Sequence, residues 1–321
     1  MKIHEKQSAP NSDFLDKLDS FIAFSEEKIA QNGEDSFYYS ANEIGAVAAV
    51  FDGCGGAGAK RYEKLQNKTG AYIASRAVGG ATKKWFLEAC AEGDSVIFDA
   101  DRLKWWITEH LKVCSSFDSP TALKLKGSMS KEFPSTLAAV SCHLVDEDIS
   151  ADVFWAGDSR CFLLNEDGLF LLTKDDLAAV NLYEDYSCDG VMTNVISASK
   201  DFVIHKKSLR LNKPGILFAA TDGCFAYFAT PMEFEFALLE TLLKANSKTD
   251  WQRSLNRTLG SYAQDDYSFC ALSFGFDSFE NAKKAFVNRA NHLYEQYISR
   301  LTNESKDHLW TIYRDDYLRC L

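Results

Sequence analysis

Residues 49–58 read AVFDGCGGAG. A small and apolar run that begins at Ile44 meets an aspartate, and four glycines and a cysteine then fill five of the next six positions. The run IGAVAAVF (44–51) reads as a strand, and the turn after it places a carboxylate, bare backbone and a thiol side by side.

Working outward, SFIAFSE (20–26) and SFYYS (36–40) read as strands before the turn. The periodicity then changes: TGAYIASRAVGGATKKWF (69–86) and DADRLKWWITEHLKVCSSF (99–117) space apolar residues at helical intervals. A Ser-, Lys- and Gly-rich loop is expected over 118–134, followed by strands in STLAAVSCHLV, ISADVFWAG, SRCFLLNEDG and LFLLT, with NEDG (165–168) as a hairpin turn. GILFAATDG (215–223) reads as a strand, EFEFALLETLLKA (233–245) as a helix and DDYSFCALSF (265–274) as a last buried strand. From Asp277 the pattern is helical, with Phe279, Ala282, Phe286, Leu293, Tyr297 and Leu301 on one stripe, and Leu309, Ile312, Tyr313 and Tyr317 on a second after the polar break TNESKD. That is a helical hairpin appended to a finished sheet, and the chain divides at 1–276 and 277–321.

A chain of 321 residues, 46% of them apolar, is long enough to bury a full core. The longest apolar run falls far short of the roughly 20 residues a membrane span needs, and the first twenty residues lack the apolar stretch of a secretory signal, so a soluble protein is expected. Nine scattered cysteines without a CxxC pair read as buried, reduced thiols, which points to a cytoplasmic, reducing compartment. The net charge of −11 argues against a nucleic-acid partner, because phosphate-backbone binding needs clustered Lys and Arg.

The acids fall at strand ends. Asp52 and Asp222 close strands, Asp265 and Asp266 open one, Asp158 interrupts the meander, and Glu34-Asp35 precedes another. Carboxylates gathered in this way make an oxygen-rich site for Mg²⁺ or Mn²⁺, and the absence of HxxxH, HExxH and CxxC spacings leaves no zinc motif. Ordinary turns also contain such aspartates, so position alone leaves a structural role open.

In order, NGED (32–35), VFDGCGG (50–56), PSTLAAV (134–140), WAGDSRCFLL (155–164), LLTKDD (171–176), FAATDGCF (218–225) and DDYSF (265–269) resemble the protein phosphatase 2C, or PPM, family of metal-dependent Ser/Thr phosphatases, over about residues 20–275. The resemblance implies an α+β fold, a β-sandwich of two antiparallel sheets flanked by helices. It implies two Mg²⁺ or Mn²⁺ ions, with Asp52 bridging them, the Gly53 carbonyl, Glu34, Asp222 and Asp265 as ligands, and Asp35 beside Glu34 as its neighbour in the catalytic group. The reaction it implies is hydrolysis of phosphoserine and phosphothreonine in a protein substrate by water activated between two ions about 4 Å apart.

Three positions depart from the family pattern. Cys54 replaces the motif histidine associated with leaving-group protonation; a small residue filling the imidazole space, a proton donor and a nucleophile are the alternatives, in that order. Ala30 stands at the family's phosphate-binding arginine, for which Lys28 is the candidate substitute, with Lys60 or Arg61 as further options. Ala226 stands where an aspartate often helps Asp158 hold a third ion, so that ion is expected to be weak or absent. An active phosphatase is favoured, since a degenerate scaffold has no chemical need to keep Glu34, Asp52, Asp222 and Asp265 together. A phosphatase-like module that binds or regulates without turnover is the alternative, and a scaffold acting through the helical tail is a third class. The tail's aromatic stripe is expected to pack on the domain itself, with self-association or a protein partner as the other reading.

Overall fold

The computed structural model describes residues 14–93, 96–117, 132–146, 148–178 and 191–321. After a short helix α1 (Phe14–Lys17) come β1 (Leu18–Glu26), β2 (Ser36–Ala41), β3 (Gly45–Phe51) and a small hairpin, β4 (Arg61–Tyr62) and β5 (Lys68–Thr69). Helices α2 (Gly70–Cys90) and α3 (Ala100–Ser116) precede β6 (Leu137–Val145), β7 (Asp148–Ala156), β8 (Arg160–Asn165), β9 (Gly168–Leu171), β10 (His205–Leu211) and β11 (Gly215–Ala220). The chain ends with α4 (Pro231–Lys244), α5 (Lys248–Tyr262), β12 (Tyr267–Phe274), α6 (Phe279–Gln296) and α7 (Lys306–Tyr317).

Ten strands form two antiparallel five-stranded sheets, ordered β1-β12-β11-β8-β9 and β10-β7-β6-β3-β2. This is the α+β sandwich expected from the resemblance. All seven residues of β3 are buried, and they divide by parity: Ala46, Ala48 and Val50 join the layer between the sheets, while Val47, Ala49 and Phe51 face α2 and α3. A strand covered on both faces reads as a continuous apolar run, which is why the stretch before Asp52 has no polar alternation. The inner layer also holds Cys142, Cys161 and Cys270, whose thiols burial pushes up in pKa, and none of the eight described cysteines is in a disulfide; Cys188 lies outside the described residues.

The opposite face carries α4 to α7, and the two C-terminal helices contribute Phe286, Leu293, Leu309, Trp310, Tyr313 and Tyr317 to the same core cluster as Phe162, Phe218 and Phe269 of the sheet. The aromatic stripe thus packs inward on the chain's own surface. NEDG forms the hairpin between β8 and β9, with Asn165 opposite Gly168. No described helix is long and apolar enough to cross a membrane.

Besides the single turn α1, the sequence reading misses β10, α5 and the two strands of the β4–β5 hairpin. Strand β10, HKKSLRL, pairs only with β7 at the sheet edge and leaves alternate charged residues exposed, so its charges mask the strand pattern. Helix α5 buries only Trp251, Leu255 and Leu259, four residues apart on a polar background. The β4–β5 hairpin is too short for a periodicity. The loop expected at 118–134 lies outside the described residues except for 132–134.

Candidate active site

The acid-bearing strand ends meet at one end of the sandwich and line a cavity of about 780 Å³. Among the described residues its walls carry eight carboxylates, from Glu34, Asp35, Asp52, Asp158, Asp175, Asp222, Asp265 and Asp266, and one guanidinium, from Arg160. Cys54, Gly53, Gly55 and Gly56 form part of the same wall, and Phe225, Tyr227, Leu177 and Met192 supply the apolar part.

Each acid is held by a distinct local device. Asp52 follows β3; its backbone N–H donates to Thr136 Oγ1 at 3.1 Å and its carbonyl accepts the Thr136 N–H at 2.8 Å, so the start of β6 clamps the turn. Thr136 Oγ1 lies 2.6 Å from Ser159 Oγ, tying in the residue beside Asp158. Gly53 is packed against the first turn of α2: a Cβ there would stand 2.4 Å from the Ala71 carbonyl oxygen, and one on Gly55 would stand 2.2 Å from Glu34 Oε2. The backbone contact excludes a side chain at Gly53, whereas one at Gly55 would have to displace the Glu34 carboxylate.

Glu34 is fixed from four sides. Thr69 Oγ1 donates to its Oε1, Ser75 Oγ and Arg76 Nη1 donate to its carbonyl, and its own N–H donates to Asp266 Oδ2 at 2.7 Å. Asp266 Oδ1 accepts the Lys28 N–H, also at 2.7 Å, so both oxygens of Asp266 are used to hold the loop between β1 and β2. Asp265 is exposed beside it and accepts the Asp266 N–H at 2.8 Å. Of this adjacent pair, the one the sequence reading favours as a ligand therefore has the more open carboxylate. Asp35 is buried and accepts the Thr221 hydroxyl at 2.8 Å, joining it to the residue before Asp222, whose Oδ1 accepts the Gly223 N–H at 2.7 Å.

Crowding shows in the acids' protonation. Burial raises Asp35 to about 8, with Asp222 and Asp266 adding to the shift against the Thr221 hydrogen bond. Burial and the Asp222 charge raise Asp158 to about 7, and burial with Asp35, Asp222, Asp158 and Asp265 pushes Asp52 well above the usual carboxylate range. Asp158 Oδ1 is buried without a hydrogen-bond partner. An oxygen-only donor set, an orphaned carboxylate oxygen and mutual repulsion fit hard divalent cations in charge and chemistry. Among the described residues, however, no group of three or more His, Cys, Asp or Glu side chains is gathered into a ready-made metal site.

Two of the anticipated residues stand differently from the acids. Lys28 is exposed, its Nζ donates to the Ala263 carbonyl at 3.0 Å, and it is not among the described residues that line the cavity. Cys54 is half-buried in the cavity wall, with its backbone N–H on the Pro134 carbonyl. The sequence reading missed the Arg160–Asp175 pair, a buried ion pair with Nη2 to Oδ2 at 2.6 Å, although both residues lie inside the quoted stretches WAGDSRCFLL and LLTKDD. It also missed Arg76, whose guanidinium sits 3.5 Å from the Tyr72 ring centroid while clamping the Glu34 loop.

Solved structures with this fold include the Staphylococcus aureus serine/threonine phosphatase Stp1, 17% identical over 85% of this chain and 100% of that one, with a TM-score of 0.57. The catalytic domain of the Mycobacterium tuberculosis phosphatase PstP, solved in complex with two manganese ions, is 16% identical over 79% of this chain and 97% of its own, with a TM-score of 0.52. The Streptococcus agalactiae serine/threonine phosphatase matches at 15% identity over 80% and 99% of the two chains, with a TM-score of 0.53. No curated protein matches the chain by sequence. The profile of protein phosphatase 2C matches residues 25–260, and with the sandwich and its acid-lined end this chain belongs to the protein phosphatase 2C family of PPM-type Ser/Thr phosphatases.

Proposed function

We propose that the protein is a Mg²⁺- or Mn²⁺-dependent phosphatase of phosphoserine and phosphothreonine in protein substrates, formed by residues up to about 276, with the C-terminal helices as an extension. The observation that carries this reading is the cavity of eight carboxylates in which Asp158 Oδ1 is buried without a partner. Glu34, Asp52, the Gly53 carbonyl, Asp222 and Asp265 would hold two ions, and Asp158 a weaker third. Bound divalent cations supply neutralisation of these carboxylates and of the phosphoryl oxygens, together with a water acidified for attack on phosphorus.

The chain's own residues do the positioning. Thr136 holds the Asp52 turn, Thr69, Ser75, Arg76 and Asp266 hold Glu34, and the buried Asp35 carboxylate ties the Glu34 loop to Thr221 and so to Asp222. Phe225 and Tyr227 offer an apolar wall to a peptide, and Cys54 occupies the wall position of the family's histidine. The second reading is a phosphatase-like module that binds without turnover; it is favoured by the carboxylates not being gathered into a metal site and by the replacements at Ala30 and Cys54.

Hydrolysis of p-nitrophenyl phosphate and of a phosphoserine peptide with added Mn²⁺, paired with calorimetric Mn²⁺ titration, separates them. The phosphatase reading expects Mn²⁺-dependent turnover that Asp52→Asn and Asp222→Asn abolish, with weakened metal binding. Unchanged Mn²⁺ stoichiometry and affinity in both variants sinks the ligand assignment, and Mn²⁺ binding without any turnover establishes the second reading.

A further inference from the structure

The one guanidinium among the described residues of the acidic cavity, Arg160, has its charge committed to Asp175. Divalent cations in the cavity would serve the phosphoryl group, but acidic residues flanking it in a phosphoprotein meet a chain of net charge −11 and need positive charge outside the cavity. The β4–β5 hairpin supplies it: the segment KRYEKLQNK (60–68) carries four Lys or Arg and one Glu.

Behind Glu34 lies a second, smaller cavity of about 80 Å³, lined by Gln31, Glu34, Arg61, Lys68, Thr69 and Tyr72 with Asn32. Its volume accommodates fewer than about three waters, the scale of one carboxylate or phosphate group. Glu34 lines both cavities and forms the partition between them: its Oε1 accepts from Thr69 on the hairpin side, while Oε2 lies against Gly55 of the main cavity. The ladder pairs Arg61 with Thr69 and Tyr62 with Lys68, so the two cationic residues belong to adjacent pairs that start from opposite faces of the hairpin, and both nonetheless line this cavity. Arg61 Nη1 donates to the Asn67 carbonyl at 2.9 Å. Lys68 Nζ donates to the Gln31 carbonyl at 3.3 Å and sits 4.3 Å from the Tyr72 ring centroid. Carbonyl oxygens and a ring orient the two side chains, and the only carboxylate among the described residues of this wall, Glu34, interacts with Arg61 while leaving an excess of positive charge.

We infer that Arg61 and Lys68 form an anion subsite that grips an acidic group of the substrate polypeptide, a carboxylate or a second phosphate, flanking the phosphoresidue seated in the main cavity. The identity of the reacting group rests on the phosphatase reading; the subsite itself rests on the hairpin. Arg61 offers a planar fork of donors and Lys68 a point charge, a combination suited to an oxyanion and partly enclosed by Tyr72. This placement differs from the family position at Ala30, because the charge comes from the hairpin rather than from the segment before Glu34.

The test measures binding of fluorescent peptides in which a non-hydrolysable phosphonate replaces phosphoserine, with Mn²⁺ present, by anisotropy. Three peptides differ only in the flank: neutral, two glutamates, or a phosphoserine likewise replaced by its non-hydrolysable phosphonate. The expected result is about fivefold to tenfold tighter binding of the acidic-flank peptides than of the neutral one, a ratio that shrinks as salt is raised. Arg61→Gln/Lys68→Gln should bring the ratio close to one, and Arg61→Lys should keep most of it. General structural damage weakens all three peptides together and leaves the ratio, so the ratio reports on the subsite. A gain confined to the phosphoserine flank assigns a second phosphate as the ligand, and a gain with both flanks assigns any acidic group. A wild-type ratio near one, or an unchanged ratio in the double variant, overturns the inference. Hydrolysis of p-nitrophenyl phosphate by the wild type, measured in parallel, reports on the phosphatase reading alone.

Discussion

Asp266 accepts the backbone N–H of Glu34 at 2.7 Å across 232 residues of sequence, and its other oxygen takes the N–H of Lys28. An acid at this position thus acts as a bracket between the start of β12 and the loop that presents Glu34. Asp266→Asn retains one acceptor oxygen and turns its NH₂ toward the second donor, so the loss of one of the two hydrogen bonds is expected to cost about 1–3 kcal/mol. Asp266→Ala should release the loop and weaken Mn²⁺ binding more than Asp266→Asn does. Urea unfolding and calorimetric Mn²⁺ titration of the two variants check the order; equal Mn²⁺ affinity in wild type and Asp266→Ala would remove the bracket's role.

Cys54, which the sequence resemblance matches to the family's motif histidine, lines the cavity. Without an efficient general acid, turnover should depend on how readily the leaving group departs, so p-nitrophenolate should be released far faster than a serine alkoxide. Cys54→His is expected to raise phosphopeptide turnover about tenfold or more while moving the aryl phosphate rate little, and Cys54→Ser to leave both near wild type. Steady-state rates on both substrates decide it; a Cys54→Ser enzyme that lost most activity with Mn²⁺ still bound would give the thiol a part in the chemistry.

The tail is anchored through a buried charge. Glu235 of α4, with none of its side chain exposed, accepts Arg289 Nε of α6 at 2.7 Å and the Tyr313 hydroxyl of α7 at 2.6 Å. Arg289→Met leaves the carboxylate without its cation and should destabilise by about 3–5 kcal/mol in urea unfolding, whereas Glu235→Leu/Arg289→Met should recover much of the loss. Truncation after Phe276 removes α6 and α7, uncovers the apolar residues of α4 and of the sheet that they bury, and should yield an aggregated product. A stable, active truncated monomer would count against the packing role.

His143 sets a pH response remote from the cavity. Its Nδ1 is buried without a partner, it packs against Phe98, and burial holds its pKa below the usual 6.5, with Lys206 lowering it further and Asp152 opposing. Below about 6.5 the unfolded chain takes up a proton that the folded chain resists, so stability falls as pH drops from 7 toward the lowered folded pKa. His143→Phe should flatten that part of the thermal-midpoint profile between pH 7 and 5.5. A profile of unchanged slope in the variant would exclude the imidazole as its source.

The local sequence carried much of the architecture. The all-buried run before Asp52, the short apolar runs of β6 to β9 with a turn signal at NEDG, and the helical stripes of α2, α3, α4 and the tail are local signals that short-range geometry imposes. The quoted stretches around Glu34, Asp52, Asp158, Asp222 and Asp265 also marked the acids that share one cavity. Strand β10 and helix α5 escaped because partners elsewhere in the chain, β7 and the core of the outer face, stabilise polar segments with little signal of their own.

Only tertiary structure decided what each of those residues meets. That Asp266 is a bracket, that Gly53 and Gly55 yield space to Ala71 and Glu34, and that Lys28 points to Ala263 while Arg61 and Lys68 flank Glu34 all depend on contacts between distant segments. Periodicity reports which face of an element is buried, but a hydrogen bond or a shared cavity wall is set by how whole elements are placed against one another. The sequence alone determined which chemistry was present at the strand ends, and the fold determined which of those groups stand together.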